Sequence, residues 1–205
     1  MVLTPSTMQE LETIAPDIDL TAPDGESYVL ADQQIDNGLL VIFMCNHCPY
    51  VLHIIARLAD KIRTYQEQGL AVVAINSNDA SAYPDDSPEK MIHLAKEFNF
   101  SFPYLVDEKQ EVAKAYRAAC TPDFFLFDDQ RNLVYRGQFD ASRPGNGVAV
   151  TGEELSAACD ALLQGQPISG QQTPSVGCNI KWRPGNEPDY FPRYSRPIEI
   201  TGLLG

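Results

Sequence analysis

The segment Gly38 to Met44 is a continuous apolar run of strand length, followed at once by Cys45-Asn46-His47-Cys48 and then Pro49. A run without polar alternation suits a strand buried on both faces of a sheet, as in α/β proteins, rather than one with a wet face. From Pro49, Val51, Ile54, Ile55, Leu58, Ile62 and Tyr65 recur at helical spacing as far as Gly69, with Arg57, Asp60, Lys61, Arg63 and Glu67 mostly on the other face. A cysteine pair therefore stands where a buried strand gives way to a helix. That junction restricts the chain to an α/β architecture and marks one place for its chemistry.

The flanking segments extend the pattern. Ile18 and Leu20 alternate with polar neighbours, Asp24-Gly25 marks a turn, and Tyr28 and Leu30 resume the alternation, which predicts an N-terminal β-hairpin after a loose or amphipathic lead-in over residues 1–16. Leu70 to Ile75 is the next strand, ending at Asn76-Ser77-Asn78-Asp79, and Tyr83 to Ser87 reads as polar loop. Ser87-Pro88-Glu89-Lys90 sets a capping hydroxyl before proline and predicts a helix to about Phe98. Tyr104 to Val106 is a short strand and Gln110 to Tyr116 a short helix. Phe124 to Phe127 and Leu133 to Tyr135, joined by a turn over Asp128 to Asn132, predict a second hairpin. Thr151-Gly152-Glu153-Glu154 has capping-box spacing, opening a helix with Leu155, Cys159, Leu162 and Leu163 that is expected on the second face of the sheet.

Over residues 164–205, Pro167, Pro174, Pro184, Pro188, Pro192 and Pro197 exclude any long regular element. Trp182, Tyr190, Phe191 and Tyr194 supply large apolar surface in the same stretch, so an irregular arm packed on the domain is expected. The 205 residues thus divide into one domain over 1–163 and an arm over 164–205.

Charge narrows the partners. Lys and Arg total 15 against 28 Asp and Glu, a net charge of −13 with no basic run, which repels phosphate backbones and anionic lipid. Neither nucleic acid nor a membrane is an expected partner, and no apolar stretch approaches spanning length. The terminus Met1-Val2-Leu3-Thr4-Pro5 has no secretory pattern, so a cytoplasmic location is expected, with a mature exported chain as the alternative.

The five cysteines, Cys45, Cys48, Cys120, Cys159 and Cys178, are odd in number and uneven in spacing, unlike a structural disulfide framework. Cys45 and Cys48 can close a small disulfide, and a helix beginning at the pair brings unpaired backbone N–H groups and the positive end of its dipole to a thiolate. On that reasoning Cys45, taken as the more exposed sulfur, has the depressed pKa and attacks, and Cys48 resolves the mixed disulfide. An imidazolium at His47 would add positive charge beside Cys45 and make the pair more oxidising. Two blander readings compete: inert buried thiols, and a metal site in which Cys45, His47 and Cys48 need a fourth ligand, which Cys120 or Cys178 could supply only if folding brings it close. No metal and no cofactor are expected. Cys120-Thr121-Pro122 precedes an apolar strand, where a proline marks a special turn that a cis bond would make. Cys159, spaced with Leu155 and Leu162, reads as core.

These pieces resemble the thioredoxin fold, and within it the alkyl hydroperoxide reductase/thiol-specific antioxidant (peroxiredoxin-like) branch. The residues that carry the resemblance are Ala15 to Leu20 with Asp24-Gly25, Cys45 to Tyr50, and Thr121-Pro122 before Phe124 to Phe127, and it spans residues 14–163. It implies a thioredoxin-like mixed central sheet flanked by helices. It further implies that Cys45 attacks and Cys48 resolves, that Pro122 is a cis-proline facing the pair, and that Thr121 offers backbone groups to an extended substrate segment. Cys120 would lie close enough to modify the redox behaviour or to join another subunit, or would be an uninvolved thiol beside the site, and a homodimer is a candidate assembly. Gly177-Cys178-Asn179-Ile180-Lys181-Trp182 resembles a segment of a little-characterised peroxiredoxin-like subgroup, in which Cys178 could fold over the pair as a third redox thiol or be incidental to an anchor at Trp182.

The departures bear on activity. Met44 stands where thioredoxins have Trp, and Gly38 to Met44 lacks their buried Asp, so Cys48 has no evident proton carrier. Against a typical peroxiredoxin, Cys48 matches the peroxide-attacking position and Pro49 is retained, but Val41 and Cys45 replace the upstream proline and hydroxyl. Cys120-Thr121-Pro122 replaces the arginine-bearing stretch, leaving Arg117 as the candidate substitute. The expected activity is thiol-disulfide exchange with a disulfide-bearing protein or a small thiol or peroxide, and an unidentified reductant. A thiol-dependent peroxidase and a non-enzymatic redox sensor or interaction domain are the alternatives.

Overall fold

The computed structural model describes residues 3–191. In chain order its strands and helices are β1 (Leu3–Pro5), β2 (Asp19–Thr21), β3 (Ser27–Val29), β4 (Leu39–Phe43), α1 (Pro49–Glu67), β5 (Ala71–Asn76), α2 (Pro88–Glu97), β6 (Tyr104–Val106), α3 (Glu111–Ala115), β7 (Cys120–Thr121), β8 (Asp123–Phe127), β9 (Leu133–Tyr135), α4 (Glu153–Leu163) and β10 (Val176–Asn179). Seven strands form a sheet in the order β3-β2-β6-β5-β4-β8-β9, and a second sheet has the order β1-β10-β7. Because β4 pairs parallel with β5 and antiparallel with β8, the central sheet is the mixed one of a thioredoxin-like fold.

All five residues of β4 are buried. Side-chain alternation sends Leu40 and Ile42 to one face, and Leu39, Val41 and Phe43 to the other. Each such side chain, fully removed from water, contributes about 1.5–3 kcal/mol. On the first face α1 brings Val51, Ile54, Ile55, Leu58 and Ile62, and Leu155, Ala158 and Cys159 of α4 join the same cluster.

The expectation that α4 covers the second face is therefore corrected. β9 lies at the sheet edge, and the chain leaving it through Tyr135 and Phe139 already packs on the α1 side, so α4 stays there. The second face is closed by the short α3, by Tyr116, by Ile18 and Tyr28 from the hairpin region, and by Trp182 from the arm. The Ser87 hydroxyl accepts from Lys90 N as its sequence predicts. The capping box at Thr151 does not form: Gly152 is the N-cap at φ 68°, and the Asp140 carboxylate accepts the Thr151 and Gly152 N–H groups at 2.7 and 2.6 Å, while Glu154 turns to Gln138.

Two further corrections concern strands. Leu3–Pro5, placed in the loose lead-in, is β1, and β10 interrupts the irregular arm; at three and four residues they carry too little alternation to read. β10 pairs antiparallel with both β1 and β7. Pro192, Tyr194 and Pro197, part of the expected arm, lie outside the described residues. No helix among the described residues is long and apolar enough to cross a membrane.

Candidate active site

Cys48 is the N-cap of α1, in extended conformation, with Pro49 at the first helical position. Its carbonyl accepts from Val51 N and Leu52 N, so the start of α1 is fixed at the pair by backbone alone. Opposite stands the Thr121–Pro122 peptide, which is cis. Cys45 Sγ lies 3.4 Å from Thr121 Oγ1, and Cys48 Sγ lies 3.1 Å from the Thr121 carbonyl oxygen. The structure thus gathers Cys45, Cys48, Thr121 and Pro122 at one point, and all five cysteines are buried free thiols.

The assignment of the depressed pKa to Cys45 is corrected. Both sulfurs are sealed, with Cys45 at 1% and Cys48 at 0% exposure. Cys48 is the thiol held far below its usual range, by its hydrogen bonds with Cys178 and then with Cys45, against the opposing effect of burial. Cys45 is pushed up by its hydrogen bond to Cys48, by burial, and by the negative charge of Asp86. A protonated Cys48 can donate to the Thr121 carbonyl, whereas the thiolate rests on its two thiol donors.

Asp86 was not legible as a site residue. The stretch read as polar loop forms a short 3-10 turn, Pro84–Asp86, that buries its last side chain. Asp86 Oδ1 accepts from Asn46 N at 2.8 Å, Oδ2 accepts from Asn78 Nδ2 at 2.7 Å, and His47 Nδ1 lies 2.8 Å from the same Oδ2. Such charge-assisted contacts offset the cost of burying a carboxylate. His47 also stacks parallel on Tyr83, with ring centroids 6.0 Å apart. His47 Nδ1 therefore faces Asp86, and the negative charge of Asp86 is among the influences that raise the Cys45 thiol. A Cys45 sulfur, a His47 nitrogen and an Asp86 oxygen lie within 4.8 Å of one another, so these three, rather than Cys45, His47 and Cys48, are the residues that could hold a metal ion.

Cys178 reaches the pair. Its Sγ is 2.9 Å from Cys48 Sγ, and the residue sits opposite Thr121 in the β10–β7 ladder. Gly177 makes this approach possible, since a Cβ there would stand 2.0 Å from the Thr121 carbonyl oxygen. The backbone of Thr121, expected to receive an extended substrate, thus runs beside the chain's own β10. Trp182 is an anchor as well, buried in the second-face cluster with Ile180.

The other thiols stand apart from this contact. Cys120 Sγ lies 3.5 Å from the Pro122 carbonyl, and burial pushes its thiol well up. Cys159 is core, its thiol pushed up to about 12 by burial. The Arg117 guanidinium stacks 4.6 Å over the Tyr190 ring, so it is committed to the arm. A carboxylate that the strand before the pair lacks is present one strand over: Asp123, opposite Phe43 in the β4–β8 ladder, is fully buried and pushed up to about 7 by burial.

With this geometry in place, the matches to known proteins are specific. The AhpC/TSA family model matches residues 11–136. The chain belongs to the AhpC/TSA family. Thiol-disulfide oxidoreductase ResA of Geobacillus kaustophilus is 27% identical over 125 residues, 61% of this chain and 67% of that protein. The crystal structure of a hypothetical protein from Sinorhizobium meliloti is 51% identical, with a TM-score of 0.87, and the match covers 89% of this chain and 100% of that one. The thioredoxin domain of a thiol-disulfide oxidoreductase from Bacteroides vulgatus matches 62% of this chain and 88% of its own with a TM-score of 0.52, and at 18% identity it speaks for the fold. This AhpC/TSA chain is thus thioredoxin-like in fold and resembles the thiol-disulfide oxidoreductases.

Proposed function

We propose that the protein is a thiol-disulfide oxidoreductase working through Cys45 and Cys48. The observation that carries this reading is the convergence of both sulfurs on Thr121 at the start of α1, where the surrounding contacts lower the pKa of Cys48. Cys45 is the entry sulfur: it is buried like Cys48 but adjoins the part-exposed Asn46 and His47, whereas Cys48 is also in contact with Cys178. The Cys45 proton passes to the Cys48 thiolate, Cys45 attacks a substrate disulfide, and the departing thiolate takes the proton from Cys48. Cys48 then attacks Cys45 Sγ, forming the Cys45–Cys48 disulfide and releasing the second substrate thiolate. The ResA relative, by its name, supports this class of reaction.

In a Cys48→Ser variant, a mixed disulfide through Cys45 should accumulate on exposure to a small disulfide. Failure of Cys45 to form one, with wild type giving no reversible disulfide over a wide range of redox buffers, rejects the reading.

One observation favours a second reading, peroxide reduction: Cys48 occupies the position matching the peroxide-attacking cysteine of the family and is the low-pKa thiol. The commitment of Arg117 to Tyr190 weighs against it. A sulfenic acid on Cys48 at low peroxide would support it, and oxidation no faster than that of a free thiol would exclude it.

A further inference from the structure

We propose that Cys178 is an in-chain acceptor of the disulfide, so that the oxidised protein carries its bond between Cys48 and Cys178 and returns Cys45 as a free thiolate. This rests on the exchange reading above and deepens it by adding a third station.

Three features place Cys178 for the transfer. Its sulfur is 2.9 Å from Cys48 Sγ across 130 residues of sequence. Its backbone is registered by two ladders at once, with Thr121 on one side and Leu3 on the other, so its position does not depend on a side-chain rotamer alone. Gly177 lets β10 approach Thr121 more closely than any residue with a Cβ could, and this close approach brings the Cys178 sulfur to the pair. No other thiol is given such a path: Cys120 faces backbone carbonyls and Cys159 lies in the core.

The step is an isomerisation within the oxidised state. When the second substrate thiolate leaves the Cys45–Cys48 exchange, it takes the proton of the Cys178 thiol. The Cys178 thiolate attacks Cys48 Sγ, the Cys45–Cys48 bond breaks, the Cys48–Cys178 bond forms, and Cys45 departs with the electron pair as a thiolate. One disulfide replaces another, so no further oxidant is required. The two electrons given to the substrate come from two protein thiols, as before. Attack on Cys48 rather than Cys45 follows from the sulfur that Cys178 touches. The outcome is a disulfide buried between α1 and β10, with Cys45 again in its reduced form at the outer turn.

Peptide mapping of the oxidised full chain tests this. The reduced protein is treated with hydroxyethyl disulfide, quenched in acid, alkylated, digested and analysed by mass spectrometry. Cys48–Cys178 should be the majority disulfide, with Cys178 losing its alkylation and Cys45 retaining it. A Cys178→Ser variant should hold Cys45–Cys48 instead. If wild type gives Cys45–Cys48 with Cys178 alkylated, the third station is overturned while the exchange reading stands. If no disulfide joins any two of the three, both fall. The wild-type map decides the matter even if the serine variant folds poorly.

Discussion

The Nδ1 atom of His47 lies 2.8 Å from a carboxylate oxygen of Asp86 whose side chain has no exposed surface. The pair joins the outer turn of the cysteine motif to the turn after β5. Through Asn78, which also accepts from Lys181 N, Asp86 is one contact removed from the arm. Charge at the site is thus set by a residue 40 positions away from the motif's Asn46.

Replacing that carboxylate should change Cys45. Asp86→Asn keeps the volume but removes a negative charge that raises the Cys45 pKa. The pH midpoint for alkylation of Cys45, followed by mass spectrometry, should move down, and the variant should lose roughly 1–3 kcal/mol of stability from the weakened contacts to Asn46 and Asn78. A midpoint that stays or rises would contradict the assignment of Asp86 as the charge felt by this sulfur.

The contact with Cys178 does most to lower the pKa of Cys48. Cys178→Ala removes that donor, so the ultraviolet absorbance of the thiolate, titrated in a variant background lacking Cys120 and Cys159, should appear at higher pH than with Cys178 present. An unchanged titration would show that Cys45 alone holds Cys48 low.

Gly177→Ala sets a methyl against the Thr121 carbonyl, a backbone atom that cannot swing aside. β10 must retreat, at a cost of about 1–3 kcal/mol if the strand shifts without leaving. Cys178 alkylation in the reduced state should accelerate, and limited proteolysis should cut the arm sooner. Wild-type protection of Cys178 in this variant would mean that the sheet absorbs the added carbon.

Asp123 has its folded pKa raised to about 7 by burial. Between the ordinary carboxylate value and about pH 7 the folded state holds a proton that the unfolded chain has released, so stability falls as pH rises through that window and levels off above it. Denaturant unfolding of wild type and Asp123→Asn at several pH values should show the decline, of a few kcal/mol at most, in wild type and its loss in the variant. Parallel profiles would exclude Asp123 as the titrating group.

How far the chain could be read from its letters depends on how local each feature is. Gly38 to Met44 and the helical spacing after Pro49 report burial directly, and Ser87-Pro88 reports a cap, so the central sheet and the place of the pair were legible. Leu3–Pro5 and Val176–Asn179 were not, because a strand of three or four residues is made by its partners and not by its own pattern. The same holds for charge. Asp79, Asp85 and Asp86 all follow β5, and only the turn at Pro84 decides that Asp86 reaches the motif while Asp85 meets Lys90 at the surface. The reversal of the low pKa from Cys45 to Cys48 came from a thiol 130 residues downstream, which no inspection of the motif could weigh.

The sheet β1-β10-β7 stitches together the beginning, middle and late parts of the chain. On a ribosome the segment from Cys45 to Pro122 emerges well before Val176, and domains generally begin to fold from the amino end as they appear. A nascent molecule can therefore assemble its two-cysteine centre while the third thiol is still inside the exit tunnel. The third thiol can meet the pair only once β10 has been added beside Thr121.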